Sequence, residues 1–219
     1  MTDLPKPIGI LGGTFDPVHH GHLRMAIECY ERLGLAEVRF IPLHTPPHRQ
    51  KPYASPAQRL AMLDLAIKDR NGFTIDECEL QSEEISYTID TVKSIREKET
   101  STPLCLLMGA DAFNTLPTWK DWESLPDYVH IVIAERAGQQ PRTLNPELTR
   151  LLANHRTDRA NDLNKQPAGK IFEVVMPILD ISATQIRETF YNKGNPSFLL
   201  PDSVINYIHA HNIYQQVKS

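Results

Sequence analysis

Three imidazoles stand within four positions, His19-His20-Gly21-His22, directly after a loop that reads Gly12-Gly13-Thr14-Phe15-Asp16-Pro17-Val18. That arrangement suits an anion. Glycines let backbone N–H groups come close to a ligand, and a helix starting at the histidines adds free N–H groups and the positive end of its dipole, so phosphate is the natural guest. His19 and His22 face the same way once the helix has begun, and Gly21 leaves room between them. The same pair of imidazoles also has a spacing that can chelate, although no cysteine or acidic third ligand lies in ordinary zinc spacing nearby. The plain structural alternative is a tight glycine turn followed by surface histidines.

A second candidate lies at the far end of the chain, in Asp180-Ile181-Ser182-Ala183-Thr184-Gln185-Ile186-Arg187. Ser182 and Gln185 have the spacing of a capping box. On a helix starting there, the Ser182 hydroxyl, the first N–H groups and Arg187 one turn in could hold a polyphosphate together. Taken singly, the serine only caps and the arginine only coats a surface. A third candidate is Trp119 and Trp122 beside Pro117 and Lys120, where an indole is either a stacking platform for a flat ring or core packing. Trp119 suits the first role and Trp122 the second. Thr88 offers a hydroxyl just ahead of a helix beginning near Asp90, where an N-terminal capping role is the bland reading.

Positioning these residues requires a scaffold, and the chain alternates short apolar runs with helical patterns almost from end to end. That alternation predicts an α/β fold, a doubly wound parallel sheet with helices on both faces. Strands are predicted at Ile8–Leu11, ended by Gly12-Gly13, then at Val38–Ile41, Phe73–Ile75, Leu104–Met108, Val129–Ala134 and Ile171–Met176. The first helix carries Leu23, Ala26, Ile27, Tyr30 and Leu33 at spacings of three and four and stops at Gly34. Ser55-Pro56-Ala57-Gln58 announces another, reaching about Lys68, with proline at its first position and a capping box. Further helices are predicted from about Asp90 to Lys98, from Ser182 and from about Pro201. The proline-rich loop from Pro42 to Pro56 is long for a simple connection. In an open α/β sheet, ligands bind beyond the carboxyl ends of central strands, which is where the first candidate loop sits. From 138 to 169 the pattern weakens around one amphipathic stretch, Leu148-Leu151-Leu152, read as a small insertion within a single domain spanning 1–219.

A chain of 219 residues with 41% hydrophobic content is long and apolar enough to bury a sizeable core, which excludes both a disordered chain and a mini-protein. Its 23 basic and 27 acidic residues give a net charge of −4, without the basic surplus of a duplex-binding protein, so no nucleic-acid partner is expected. Small phosphorylated ligands are compatible with that charge, because a pocket needs only a few local cations. Cys29, Cys78 and Cys105 are odd in number and include no C-x-x-C pair, the usage of a reducing compartment, and the cytoplasm is the expected location. Residues 1–6 show no signal-peptide pattern and no apolar run approaches the ~20 residues of a membrane span, so no membrane partner is expected. Oligomeric state is open.

Several blocks together resemble bacterial nicotinate-mononucleotide adenylyltransferases, of the nucleotidyltransferase superfamily marked by His-x-Gly-His. They are Gly-Gly-Thr-Phe-Asp-Pro at 12–17, His19–His22, Pro46-Pro47-His48-Arg49, Ser86-Tyr87-Thr88, Gly109-Ala110-Asp111, Pro117-Thr118-Trp119 and Ile181-Ser182-Ala183-Thr184 with Arg187. The first and last mark the superfamily, and the middle ones point to a pyridine mononucleotide as acceptor. The resemblance implies transfer of AMP from ATP to nicotinate mononucleotide, giving deamido-NAD and pyrophosphate, with Mg2+ accompanying ATP. It implies that His19, His22 and Arg187 are catalytic. It places ATP against Gly12, Gly13, Thr14, Phe15, Gly109, Asp111, Ser182, Thr184 and Arg187. It places nicotinate mononucleotide against Asp16, His48, Arg49, Thr88, Trp119 and Lys120, with the ring near Trp119 and its carboxylate near Thr88 and the backbone after Trp119. No resident protein-bound metal is implied. Arg49 stands where lysine is common. Other members of the superfamily, such as phosphopantetheine adenylyltransferases and cytidylyltransferases, share the phosphate motifs, and the Thr88 and Trp119 blocks argue against them. A nucleotide-sensing module would keep the glycines without needing both histidines and Arg187, and a metal-dependent hydrolase would use the histidine cluster differently.

Overall fold

In the computed structural model, the described residues are 5–44, 51–81, 86–136, 144–177 and 179–215. Seven strands make one sheet: β1 (Ile8–Gly13), β2 (Glu37–Pro42), β3 (Phe73–Ile75), β4 (Leu104–Gly109), β5 (His130–Arg136), β6 (Arg156–Thr157) and β7 (Ile171–Met176), in the order β3-β2-β1-β4-β5-β7-β6. The pairs β1/β4, β4/β5, β5/β7 and β6/β7 are parallel. Eight α-helices accompany them among the described residues: α1 (His20–Leu33), α2 (Pro56–Ile67), α3 (Thr88–Lys98), α4 (Ala110–Asn114), α5 (Leu125–Tyr128), α6 (Pro146–His155), α7 (Ala183–Tyr191) and α8 (Asp202–Ala210). The predicted α/β architecture is therefore present.

The chain folds as two compact units, one of Met1–Leu11, Ala26–Arg39 and Tyr87–Ile178, the other of Gly12–Met25, Phe40–Ser86 and Leu179–Ser219. The first unit is built on β4 and β5, whose residues Leu104–Met108 and Ile131–Ala134 are all buried. A run of apolar residues without alternation is what a strand covered on both faces requires. Arg96, near the end of α3, fastens the surrounding connections through its fork: Nε and Nη2 donate to the Tyr128 carbonyl, Nη1 to those of Glu99 and Thr102, and Nη2 also to that of Pro167. Within this unit Gly34, at φ +61°, turns the chain out of α1, and the Leu35 N–H returns to the Tyr30 carbonyl at 3.1 Å.

Element boundaries shift by one or two residues from the sequence reading, as at β1, β2 and α3. The fifth strand runs His130–Arg136 rather than 129–134, because its partner β7 extends pairing to Arg136↔Met176, a long-range constraint. Of the 138–169 segment, residues 144–169 are described: Asn145 caps α6, Leu148, Leu151 and Leu152 are buried, and β6 adds to the sheet beside β7. A two-residue strand is too short to leave a periodic signal.

In the second unit, α2 carries the predicted capping box, with Gln58 N–H donating to Ser55 Oγ and Ser55 N–H to Gln58 Oε1. Helix α8 packs against α2, and the Ser203 hydroxyl donates to the Leu65 carbonyl at 3.1 Å. At the start of α7, Ser182 Oγ accepts the Gln185 N–H at 3.1 Å, the serine half of the pair expected there.

His130 gives the first unit a measurable pH signature. It is fully buried, its Nδ1 accepts the Lys170 N–H, and its Nε2 faces the Gln166 carbonyl at 2.9 Å, so the neutral imidazole is fully used. Burial lowers its pKa from 6.5 to about 4. The folded state therefore refuses a proton that the unfolded chain takes up below 6.5, and this stabilisation, complete above pH 6.5, is lost as pH falls toward 4, by at most about 3 kcal/mol. His130→Asn is expected to flatten the dependence of unfolding free energy on pH between 6.5 and 4 by up to one proton. An unchanged slope in urea titrations would contradict this.

Candidate active site

The first loop packs into an aromatic cluster. Phe15 sits at φ +48° and is buried, with its ring edge-on to His22 at 5.1 Å between centroids and tilted against Phe40 at 5.9 Å. His22 in turn stacks on His19, with centroids 3.7 Å apart and an interplanar angle of 27°. The His19 carbonyl accepts the N–H groups of His22 and Leu23, so His19 starts the first turn of α1, and the His20 N–H is taken by the Leu199 carbonyl. The two histidines thus face the same way, as their spacing predicted.

Both imidazoles are neutral at pH 7. Burial, reinforced by His20, lowers the His19 pKa to about 4, and burial, reinforced by His19, holds His22 well below its ordinary value. The His19 backbone N–H donates to His22 Nδ1 at 3.3 Å, which leaves the His22 proton on Nε2. His19 Nδ1 is buried without a hydrogen-bond partner. Gly21 is required by that ring: a Cβ on it would lie 2.9 Å from His19 Nδ1, 3.0 Å from Cε1 and 3.4 Å from the Ile181 carbonyl oxygen. The segment leading into α7 therefore runs directly beside the start of α1.

Arg187, one turn into α7, completes this meeting of the chain's two ends. Its Nη1 donates to the Asp16 carbonyl at 2.7 Å, its Nη2 to Thr184 Oγ1 at 3.0 Å, and its guanidinium lies 4.8 Å from the centre of the Tyr53 ring. Thr184 and Ser182 are exposed beside it, and Gly12, Gly13 and Thr14 are not buried. Imidazole N–H, guanidinium, helix N-terminus and glycine-rich backbone together make a donor set for an anion rather than for a cation.

Three partners of this loop, Tyr53, Tyr214 and Arg59, carried no sequence signal. Asp16 is 5% exposed, so its carboxylate must be satisfied internally: Oδ2 accepts the Tyr53 N–H at 2.7 Å, and Oδ1 accepts the Ala54 N–H at 3.0 Å and the Tyr214 hydroxyl at 2.7 Å. The resemblance put Asp16 on the acceptor side; in the structure its carboxylate meets these three donors. Arg59 on α2 is fully buried, and its Nη1 and Nη2 donate to the carbonyls of Thr14 and His44 at 2.7 and 3.0 Å, tying together the loops that follow β1 and β2. Burial lowers its pKa and the Asp16 charge opposes that shift.

Thr88, Gly109, Asp111, Trp119 and Lys120 belong to the other unit. Gly109 is the N-terminal cap of α4, with Asp111 exposed in its first turn. Thr88 is the first residue of α3, one position past the Tyr87 cap. Trp119 and Trp122 are both half-buried, and Lys120 pairs with Asp90 at 2.9 Å while its ammonium lies 4.7 Å from the centre of the Tyr87 ring. His48 and Arg49 lie outside the described residues.

The family model described as cytidylyltransferase-like matches residues 10–189. The chain belongs to that family. Among its relatives, a chain of Aeromonas salmonicida named "Probable nicotinate-nucleotide adenylyltransferase" is 47% identical over 212 residues, covering 97% of this chain and 99% of the relative. A chain of Pseudomonas aeruginosa with the same name is 45% identical over 213 residues, covering 96% and 98%. This member of the family also shares its fold with solved structures. A Plasmodium falciparum nicotinic acid mononucleotide adenylyltransferase complexed with NaAD matches with a TM-score of 0.75 at 17% identity, over 98% of this chain and 100% of that one. A putative nicotinate-nucleotide adenylyltransferase from Vibrio parahaemolyticus matches with a TM-score of 0.65 at 15% identity, over 97% and 98%. At these identities the likeness bears on the fold alone.

Arg59 makes the rigidity of the first loop testable. Arg59→Leu removes the donors to the Thr14 and His44 carbonyls and is expected to cost about 2–4 kcal/mol of stability in urea unfolding, and Arg59→Lys is not expected to restore it, since one ammonium lacks the planar fork. An unchanged midpoint in Arg59→Leu would show that the two loops are held without it.

Proposed function

We propose that this chain transfers the adenylyl group of ATP to nicotinate mononucleotide, forming deamido-NAD and pyrophosphate. The observation that carries the reading is the convergence of Arg187 and the His19–His22 pair on one loop, the geometry a triphosphate requires. The full-length relatives named for the same activity support the choice of acceptor.

The chemistry fits these groups. The acceptor phosphate is already ionised, so no base is needed to create the nucleophile. One acceptor oxygen forms a bond to the α-phosphorus of ATP, the bond from that phosphorus to the bridging oxygen breaks, and its electron pair leaves with pyrophosphate. The protein's task is alignment and neutralisation of charge on the leaving group. His22 Nε2–H, His19 and Arg187 are assigned to the triphosphate, with the backbone of Gly12, Gly13, Thr14 and Phe15 and the α7 start at Ser182 and Thr184. Gly109 and Asp111 are assigned to the nucleoside. Trp119 is assigned to the nicotinate ring, with Thr88, Lys120, His48 and Arg49 to the rest of the acceptor. Magnesium enters as the ATP complex, as substrate: the donors around the first loop are N–H groups, and the Asp16 carboxylate is occupied by three donors.

No helix among the described residues is long and apolar enough to cross a membrane. With three free thiols, the chain is assigned to a reducing compartment, the cytoplasm.

Incubation with ATP, magnesium and a panel of phosphorylated acceptors tests the reading: pyrophosphate release is expected with nicotinate mononucleotide, and release only with phosphopantetheine or a sugar phosphate would overturn it. His22→Ala is expected to lower turnover by at least ~10²-fold with an unchanged circular dichroism spectrum, because loss of one donor to a developing oxyanion costs about 3–4 kcal/mol. Near-normal turnover in the folded variant would remove His22 from the site. The nicotinate carboxylate accepts stronger hydrogen bonds than the neutral amide, so the specificity constant for the acid should exceed that for the amide at least ~10-fold. Equal constants would refute this.

A further inference from the structure

Asp16, buried and motif-borne, reaches Arg187 by two routes. Its carbonyl accepts Arg187 Nη1 at 2.7 Å. Its carboxylate accepts the Tyr53 N–H at 2.7 Å, and the Tyr53 ring lies under the same guanidinium at 4.8 Å. The carboxylate is in turn anchored by the Tyr214 hydroxyl at 2.7 Å. Tyr214 is itself buried and lies against Phe190 of α7, with ring centroids 6.1 Å apart. Phe190 follows Arg187 by three positions, so the tyrosine touches both the loop and the helix that the arginine bridges.

We propose that Asp16, Tyr53 and Tyr214 are positioning residues that aim Arg187 at the triphosphate, an inference that rests on the function proposed above. A guanidinium has five N–H donors. The bonds to Asp16 and Thr184 are Arg187's hydrogen bonds among the described residues, and they leave the rest of the fork for an anion. The Tyr53 ring covers one face and the Asp16 carbonyl fixes one edge, which together define the plane and direction of the fork. A free arginine side chain loses up to about 2 kcal/mol of rotamer freedom when it is fixed, and holding it before ATP arrives removes that cost from the binding step. The Tyr214 hydroxyl supports this assembly from the opposite end of the sequence without touching Arg187 through a hydrogen bond of its own.

The test is a double-mutant cycle read as affinity for a non-hydrolysable ATP analogue by calorimetry, in the full chain, Tyr214→Phe, Arg187→Ala and the double variant. Removing the hydroxyl is expected to weaken binding ~10-fold when Arg187 is present and less than ~2-fold when it is alanine, with KM for nicotinate mononucleotide unchanged in Tyr214→Phe. Tyr53→Leu, which keeps the backbone N–H on Asp16 and loses the ring, should show the same dependence on Arg187 and serves where Tyr214→Phe does not fold. Equal weakening in both backgrounds, a rise confined to the KM of the acceptor, or no binding of the analogue to the unsubstituted chain would overturn the inference. Absence of pyrophosphate release by the unsubstituted chain would instead overturn the proposed reaction, and the binding cycle would still decide the role of Tyr214.

Discussion

The Arg187 guanidinium donates to the Asp16 carbonyl across 171 residues of sequence, and the arrangement of the candidate site follows from that bond. It joins the start of α7 to the loop that leaves β1. On the proposed reading, two weak anion sites, each an ordinary helix N-terminus with one or two polar side chains, act as one site with donors on two sides. Either half alone would hold a phosphate no better than many helix starts do. Together they can follow a chain of phosphates, and they can stabilise charge that moves from one oxygen to the next.

Burial decides the character of the two histidines. A protonated pair stacked at 3.7 Å would repel, and desolvation keeps both neutral. Each then contributes a directed N–H rather than a full charge, while Arg187 supplies the permanent cation. Direction is set by packing: Phe15 closes one side of His22, and Gly21 makes room for the His19 ring beside the Ile181 carbonyl. The glycine of the histidine motif is therefore as much a packing requirement of His19 as a space for ligand.

Much of this was legible in the sequence because it is local. The Ser55–Gln58 box, the Gly34 stop, the unbroken apolar run of Leu104–Met108 and the histidines on the first turn of α1 all obey rules that act over a few residues. What could not be read depends on distant partners. Arg59 occupies a helix position that looks like surface coating, and only the folded loops around Thr14 and His44 bury it. Tyr214 follows the last helix in a stretch without a motif, and its importance comes from the carboxylate it meets. Asp16 was visible as part of a motif, yet its inward orientation was not, since the donors that claim it come from residues 53, 54 and 214.

The most direct test of the account is a crystal structure of the chain with a non-hydrolysable ATP analogue and magnesium. The account predicts one triphosphate within hydrogen-bonding distance of both the His19–His22 pair and the Arg187 guanidinium. A triphosphate bound by only one of them, with the other facing solvent, would contradict it.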